Sequence, residues 1–127
     1  MDVDKFAEEA FRRDGSIRYV GIVDVEHGLL LSKMREGIQS VSASEEDDRN
    51  FVQMMGFIIV RTAEKLQRVL GNLESMTVRY EKVLLVFLRV NKVLVVLSYN
   101  PEVTKPFMSA SSDIMRMLGT TYLGEDD

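Results

Sequence analysis

The sequence contains no cysteine and one histidine, His27, among its 127 residues. The absence of cysteine excludes disulfides, thiolate metal sites and cysteine nucleophiles. A zinc site would have to use mostly carboxylate ligands, which is unusual for zinc in proteins. Neither a phosphate-binding G-x-x-x-x-G-K-[ST] motif nor a dinucleotide-binding G-x-G-x-x-G motif occurs. We therefore predict a protein that is not an enzyme, with no cofactor, no metal site and no catalytic residues.

The chain also lacks a basic run, because its 16 lysines and arginines are scattered among 20 acidic residues. The resulting net charge of -4 argues against nucleic acid as a partner. The amino terminus is acidic and has no apolar run, so we expect no signal peptide. The most apolar segment, residues 83–99, carries Arg89 and Lys92 near its centre and is shorter than the roughly 20 apolar residues of a membrane span. We predict a cytoplasmic protein without a membrane span.

Residues 83–99 define the expected fold. Thirteen of these seventeen residues are apolar, which predicts two strands buried on both faces and joined by a tight turn at Asn91-Lys92. Such strands need helices on both faces of their sheet. Strand patterns at 17–24, 29–34 and 76–81 and helical patterns at 4–14, 43–70 and 104–118 complete the chain.

The resulting order is α-β-β-α-β-β-β-α. It predicts an α+β fold, with a single five-stranded antiparallel sheet and helices on both faces. Gly119 is the expected stop of the last helix, whose inner face would hold Phe107, Ala110, Ile114, Met117 and Leu118. We therefore predict one domain over residues 1–118, followed by an acidic flexible tail, residues 119–127.

The helix predicted from Ala43 to Leu70 has more apolar surface than one sheet can cover. Ser42 and Glu45 form a capping pattern, and the acidic run that follows is interpreted as a solvated first turn rather than a metal site. A stripe predicted to face the core contains Phe51, Met55, Ile58, Thr62, Leu66 and Val69. A second stripe, offset by about a quarter turn, contains Val52, Gly56, Val60 and Ala63.

The second stripe is interpreted as a subunit interface. Gly56 and Ala63 are small enough to let another helix approach closely, and a mid-helix glycine costs about 1 kcal/mol relative to alanine. The alternative is that a helix of the same chain covers this stripe. The alternating segment 76–81 predicts a half-buried edge strand that can also join the interface. The predicted dimer interface comprises Val52, Gly56, Val60, Ala63, Thr77 and Arg79.

The order of elements resembles the roadblock / dynein light-chain family over residues 4–118. The resemblance rests on Tyr19–Asp24, on Gly28–Leu31 after it, on the long helix and on the three-strand meander. It implies a homodimer or heterodimer in which the long helices pair and the third strands join two sheets edge to edge. It also implies a non-catalytic scaffold or regulator, often of Ras-like small GTPases. No GTPase-contacting motif is recognisable in the sequence.

Three shorter segments are similar to a family of small archaeal proteins that has no established function. They are Ile17–Gly21, Met34–Gly37 and Tyr80–Val83.

Two other functions remain open at this point. The first is a small-molecule sensor of profilin-like or PAS-like type, with a cavity between sheet and helix lined by Met34, Met55, Tyr80 and Phe87. The second is an enzyme of unrecognised type, which would need a pocket holding at least two of Asp24, Arg35, Glu36 and Glu81. The carboxylates available for acid-base work are Asp14, Asp24, Glu36 and Glu81. Because these four lie at ends of elements, where charged side chains are normally exposed, we favour the dimeric interaction module.

Overall fold

The computed structural model describes residues 1–38, 44–102 and 110–124. Its elements, in chain order, are α1 (Val3–Arg13), β1 (Tyr19–Asp24), β2 (Gly28–Met34), α2 (Glu45–Leu70), β3 (Ser75–Arg79), β4 (Leu84–Val90), β5 (Val93–Tyr99) and α3 (Ala110–Leu123). This order is the predicted one, and the prediction of an α+β fold is confirmed.

The five strands form one antiparallel sheet in the order β2-β1-β5-β4-β3. Strands β4 and β5 are buried along almost their whole lengths, as their apolar sequences require. The tight turn between them contains Asn91, which adopts a positive φ of 53°. Pairing of β1 with β5 joins the first hairpin to the meander, so β2 and β3 form the two edges of the sheet.

Helices cover both faces of the sheet. Phe6, Ala7 and Ala10 of α1 pack on one face together with apolar residues of α3, around alternate residues of β1, β4 and β5. The other face carries α2, which buries the cluster of Tyr19, Val23, Val52, Ile59, Leu85, Phe87, Leu94 and Val96. None of the helices within the described ranges is long and apolar enough to cross a membrane.

The carboxyl-terminal helix differs from its prediction. Gly119 lies inside α3, which continues to Leu123, and Leu123 is only 1% exposed in the core. The predicted stop at Gly119, and with it the start of the tail at residue 119, is therefore wrong. Met117 was expected to face inward but is half exposed, and Met115 takes the inner position. Phe107 and residues 104–109 and 125–127 lie outside the described residues.

The long helix begins at an N-cap that differs from the predicted one. The hydroxyl oxygen of Ser44 accepts a hydrogen bond from the backbone N–H of Asp47 at 3.1 Å, which satisfies one of the unpaired N–H groups of the first turn. The predicted cap Ser42 and the predicted first residue Ala43 lie outside the described residues. At the other end, α2 stops at Leu70, as predicted, and Gly71 follows it with a φ of 84°.

Candidate functional site

Helix α2 turns a different face to the sheet from the one predicted. The side that faces the sheet contains Val52, Gly56 and Val60, which are buried. Gly56 lies beside β1, where a β-carbon at position 56 would be 3.3 Å from Cγ1 of Val23. The predicted core stripe is wrong in Ile58, Thr62, Leu66 and Val69, which are exposed, whereas Phe51 and Met55 do pack against the core.

The six predicted interface residues occupy different environments. Val52, Gly56 and Val60 are covered by the sheet of their own chain, so their apolar or small side chains are accounted for within one molecule. Ala63 is half-buried, and Thr77 and Arg79 are exposed on β3. The part of α2 that remains available to a partner is its solvent-exposed surface.

This outer surface of α2 is unusually apolar. Of the eleven large apolar side chains exposed in the described part of the chain, six lie on this one helix. We call them the exposed α2 stripe: Met54, Phe57, Ile58, Leu66, Val69 and Leu70. Between its two halves, the guanidinium of Arg61 stacks over the ring of Phe57 at 4.8 Å from the ring centre.

Charge is distributed unevenly along α2. The first turn carries four consecutive acidic residues, Glu45–Asp48. The second half carries Arg61, Lys65 and Arg68 against the single acidic Glu64. The helix therefore has a negative amino-terminal end and a positive carboxyl-terminal half on its solvent side.

A groove connects the exposed α2 stripe to β3. It has a volume of about 360 Å³ and lies where α2 ends and the chain turns towards Ser75. Its walls are mostly apolar and include the predicted interface residue Ala63, together with Leu66, Leu70 and Leu73. The groove thus joins the carboxyl-terminal end of the stripe to the start of β3.

Within residues 1–38, 44–102 and 110–124, no strand pairs with the outer edge of β3. The N–H of Tyr80 donates to the carbonyl of Val83 at 2.8 Å, and the N–H of Arg89 donates to the carbonyl of Glu74 at 3.0 Å. Hydrogen-bonded residues alternate along an antiparallel pair. In the register of β3 and β4, the backbone groups of Met76 and Val78 therefore point to β4, and those of Ser75, Thr77 and Arg79 point to the open edge.

A second concave site lies at the amino-terminal end of α2. This α2 cavity has a volume of about 390 Å³, is open to solvent on one side, and is lined by Arg18, Tyr19, Met34, Asp47, Asp48, Phe51, Val52, Tyr80, Val83, Leu85 and Ser98. The rings of Phe51 and Tyr80 meet edge to face with their centres 6.3 Å apart. Of the four residues predicted to line a ligand cavity, Met34 and Tyr80 do so, whereas Met55 and Phe87 pack in the adjoining core.

Tyr19 forms part of the floor of the α2 cavity. Its hydroxyl lies 2.7 Å from Oγ of Ser32 on β2. Burial raises the pKa of Tyr19 to about 12, and the nearby carboxylate of Asp48 acts in the same direction, although the Ser32 hydrogen bond opposes them. Tyr19 is therefore a neutral hydrogen-bonding group at physiological pH.

The four residues that the enzyme alternative requires do not converge on one site. Asp24 lies in the β1–β2 turn, where its carboxylate accepts hydrogen bonds from the backbone N–H groups of Glu26 and His27 and lies 3.2 Å from Nδ1 of the exposed His27. Desolvation raises the pKa of Asp24, but these hydrogen bonds and His27 outweigh it and the net shift is downward. Glu36 and Glu81 are exposed.

Arg35 is occupied by structural contacts. Its Nε donates to the carbonyl of Ile17 at 2.7 Å, and its Nη2 donates to the carbonyls of Phe11 and Asp14 at 2.9 and 2.8 Å. The guanidinium also stacks on the Phe11 ring, which ties the end of β2 to the end of α1. Among the described residues, no group of three or more histidine or acidic side chains is placed to hold a metal ion.

Comparisons with known proteins give a fold but no sequence relative. No family model matches the sequence, and no curated protein is detectably similar to it. Solved structures nevertheless superpose over nearly the whole chain. A roadblock/LC7 domain from Streptomyces avermitilis matches with a TM-score of 0.70 and 8% identity, over 98% of this chain and 100% of that chain.

Two MglB structures give similar matches. Myxococcus xanthus MglB has a TM-score of 0.67 and 13% identity, over 96% of this chain and 91% of its own. MglB in a tetrameric arrangement has a TM-score of 0.60 and 14% identity, over 94% of this chain and 88% of its own. At such identities the likeness establishes the fold alone: the chain has the roadblock fold, as predicted. The similarity to the archaeal family stays a prediction.

Proposed function

We propose that this chain is a non-catalytic regulatory or scaffold module that acts as a homodimer and binds a further protein, with a Ras-like small GTPase as the candidate. The observation that carries the proposal is the exposed α2 stripe beside the open edge of β3. Large contiguous apolar surfaces on a protein mark interaction sites, and an unpaired strand edge is a template for another strand. The groove lined by Leu66, Leu70 and Ser75 joins them.

A second copy of the chain is the occupant that the charges favour. In a two-fold pair both copies use the same surface, and we propose that the two α2 helices run antiparallel. The acidic first turn of one helix would then lie near Arg61, Lys65 and Arg68 of the other. Attraction between these opposite charges and between the helix dipoles supports this direction over a parallel one.

The β3 edges of the two copies would meet in the same arrangement. Thr77 and Arg79 offer outward backbone groups there, and Ala63 lies in the adjoining groove, so these three predicted residues are retained in the proposed interface. We add Met54, Phe57, Ile58 and Val69, which the surface of α2 exposes. The tetrameric arrangement of one MglB structure supports the idea that this fold can assemble.

Light scattering on matched variants tests the assembly. Ile58 and Met117 are 51% and 50% exposed, on helices that lie on opposite faces of the sheet. Ile58→Glu is expected to convert a dimer to a monomer, because it buries a charge in the interface, and Met117→Glu is expected to leave the dimer intact. A monomeric wild-type chain at high micromolar concentration, or a dimer that survives Ile58→Glu, would contradict the proposal.

The GTPase partner needs a separate test. The resemblance to roadblock proteins supports a GTPase as the partner. To test this, the immobilised chain can be incubated with native extract containing either GDP or a non-hydrolysable GTP analogue. We expect mass spectrometry to identify a Ras-like GTPase captured in one nucleotide state and not in the other. If no GTPase is captured in either state, the GTPase partner is contradicted. The dimeric scaffold proposal is then decided by the light-scattering test.

A further inference from the structure

We propose that the α2 cavity binds a small molecule that has an apolar body and a positively charged nitrogen. Ligand sites are typically concave, about 300–1,000 Å³ in volume, and mostly apolar with a few convergent polar groups. At about 390 Å³, the α2 cavity is large enough for a two-ring aromatic molecule. This site is distinct from the proposed dimer surface, because no member of the exposed α2 stripe lines it.

The walls of the cavity suit an apolar body. Met34, Val52 and Leu85 form the inner wall, and the Phe51–Tyr80 ring pair forms a side. The face of an aromatic ring can stack on a planar ligand, and its edge can meet a ligand ring in a T-shaped contact. Met34 adds a side chain that adapts its shape easily, because it is unbranched and has three rotatable bonds.

The charged side chains around the opening of the α2 cavity indicate the charge of the ligand. Asp47 and Asp48 contribute two negative charges to the lining, and Arg18 contributes one positive charge. The guanidinium of Arg18 donates a hydrogen bond to Oδ1 of Asn100, which orients it towards that side chain. The described lining residues thus carry more negative than positive charge, and the rings of Phe51 and Tyr80 offer π-faces that also attract cations. A cationic nitrogen is therefore complementary to this opening, and a carboxylate is not.

Three naphthalene probes of nearly equal size test the proposal on the full chain. They are 2-naphthylmethylamine, which is cationic at neutral pH, 2-naphthalenemethanol, which is neutral, and 2-naphthoate, which is anionic. Titration calorimetry should show saturable binding of the amine, about ten-fold tighter than binding of the naphthoate, because of one charge interaction at a partly exposed site. Absence of binding by all three probes at millimolar concentration would overturn the proposal, as would equal affinity for the amine and the naphthoate.

Two variants assign the charge preference to the cavity. Asp47 lines the opening, whereas its neighbour Glu46 is exposed in the same helical turn and does not. Asp47→Asn should remove most of the preference for the amine, and Glu46→Gln should preserve it. Equal loss in both variants would show a general effect of acidic charge and would contradict a specific site.

Binding position is checked by filling the cavity and by NMR. Val83 is half-buried at the rim, so Val83→Phe should fill the space and abolish binding of the amine. In the wild-type chain, the amine should shift the backbone amide signals of residues 47–52 and 83–85. This measurement does not depend on whether Val83→Phe folds. Shifts confined to other residues would overturn the proposal. Ile58→Glu should retain amine binding, so failure of the dimer and failure of this site are distinguishable.

Discussion

Gly119 of α3 lies in close contact with Val90 at the end of β4. A β-carbon at position 119 would be 2.8 Å from Cγ2 and 3.0 Å from Cγ1 of Val90. Both atoms are branches of one short, buried side chain, so neither can move aside without a shift of the strand or the helix. Glycine at this position therefore sets how closely α3 approaches the sheet.

Gly119→Ala is expected to destabilise the protein. Overpacking a close contact typically costs about 1–3 kcal/mol, which outweighs the gain of about 1 kcal/mol that alanine brings to a helix. Urea denaturation measures the free energy of unfolding, and Gly15→Ala is the control because nothing lies within 4 Å of a β-carbon there. Combined with Val90→Ala, Gly119→Ala should cost less than it does alone. A more stable Gly119→Ala protein would contradict this account.

Thr77→Pro is expected to weaken the proposed dimer without unfolding the monomer. The N–H of Thr77 points to the open edge, so proline removes no hydrogen bond to β4. Loss of one backbone hydrogen bond in each copy, about 1 kcal/mol apiece, should raise the dissociation constant of the dimer about thirty-fold. Sedimentation velocity measures this constant. Thr77→Val keeps the N–H and should leave it nearly unchanged; a similar loss in both variants would argue against edge pairing.

The stability of the protein is expected to fall at alkaline pH because of Tyr19. An unfolded tyrosine loses its proton near pH 10.0, whereas burial keeps Tyr19 protonated in the folded chain until about pH 12. Between these values the folded state binds a proton that the unfolded state has lost. The free energy of unfolding therefore decreases as the pH rises, by at most about 1.4 kcal/mol per pH unit from this group.

Urea denaturation of Tyr19→Phe between pH 9 and 12 isolates this contribution. The slope of stability against pH should become shallower in Tyr19→Phe, and the exposed Tyr80→Phe should follow the wild type. Burial also raises the pKa of Tyr99, and this effect is present in all three proteins and cancels in the comparison. An unchanged slope in Tyr19→Phe would show that the pKa of Tyr19 is the same in the folded and the unfolded chain.

Arg35→Lys is expected to destabilise the protein by about 2 kcal/mol. Lysine is a point charge without the planar fork, so it cannot donate at once to the carbonyls of Ile17, Phe11 and Asp14. Thermal or urea unfolding measures the loss. Arg12→Lys is the control, because the partner of Arg12 among the described residues is Glu9, at an exposed site where ion pairs contribute little. Equal effects of the two substitutions would exclude a structural role for the Arg35 contacts.

The strands were predictable from sequence, whereas the orientation of α2 was not. Burial of β4 and β5 on both faces can be predicted from the local sequence, because nearly every residue of these strands is apolar. In α2, apolar residues surround more than half of the helix, and their period gives the angle between stripes without saying which stripe faces the sheet. The contact between Gly56 and Val23 fixes that choice, and it joins residues far apart in sequence.

The role of Gly119 in α3 could not be predicted either. A glycine that ends a helix and a glycine that lets a helix pack closely on a sheet look alike in sequence. The cavity was found in part, through Met34 and Tyr80. Asp47 and Phe51 were missed, because an acidic first turn and an apolar stripe already explained them as parts of a helix.

The order of the strands also limits how large an assembly can grow. If two copies pair through β3, each end of the combined sheet is a β2 strand. That strand exposes Lys33, and a lysine on an edge strand disfavours the addition of another strand. Strand pairing would therefore stop at two molecules instead of continuing into a fibre, and any larger complex would have to be held together by other surfaces.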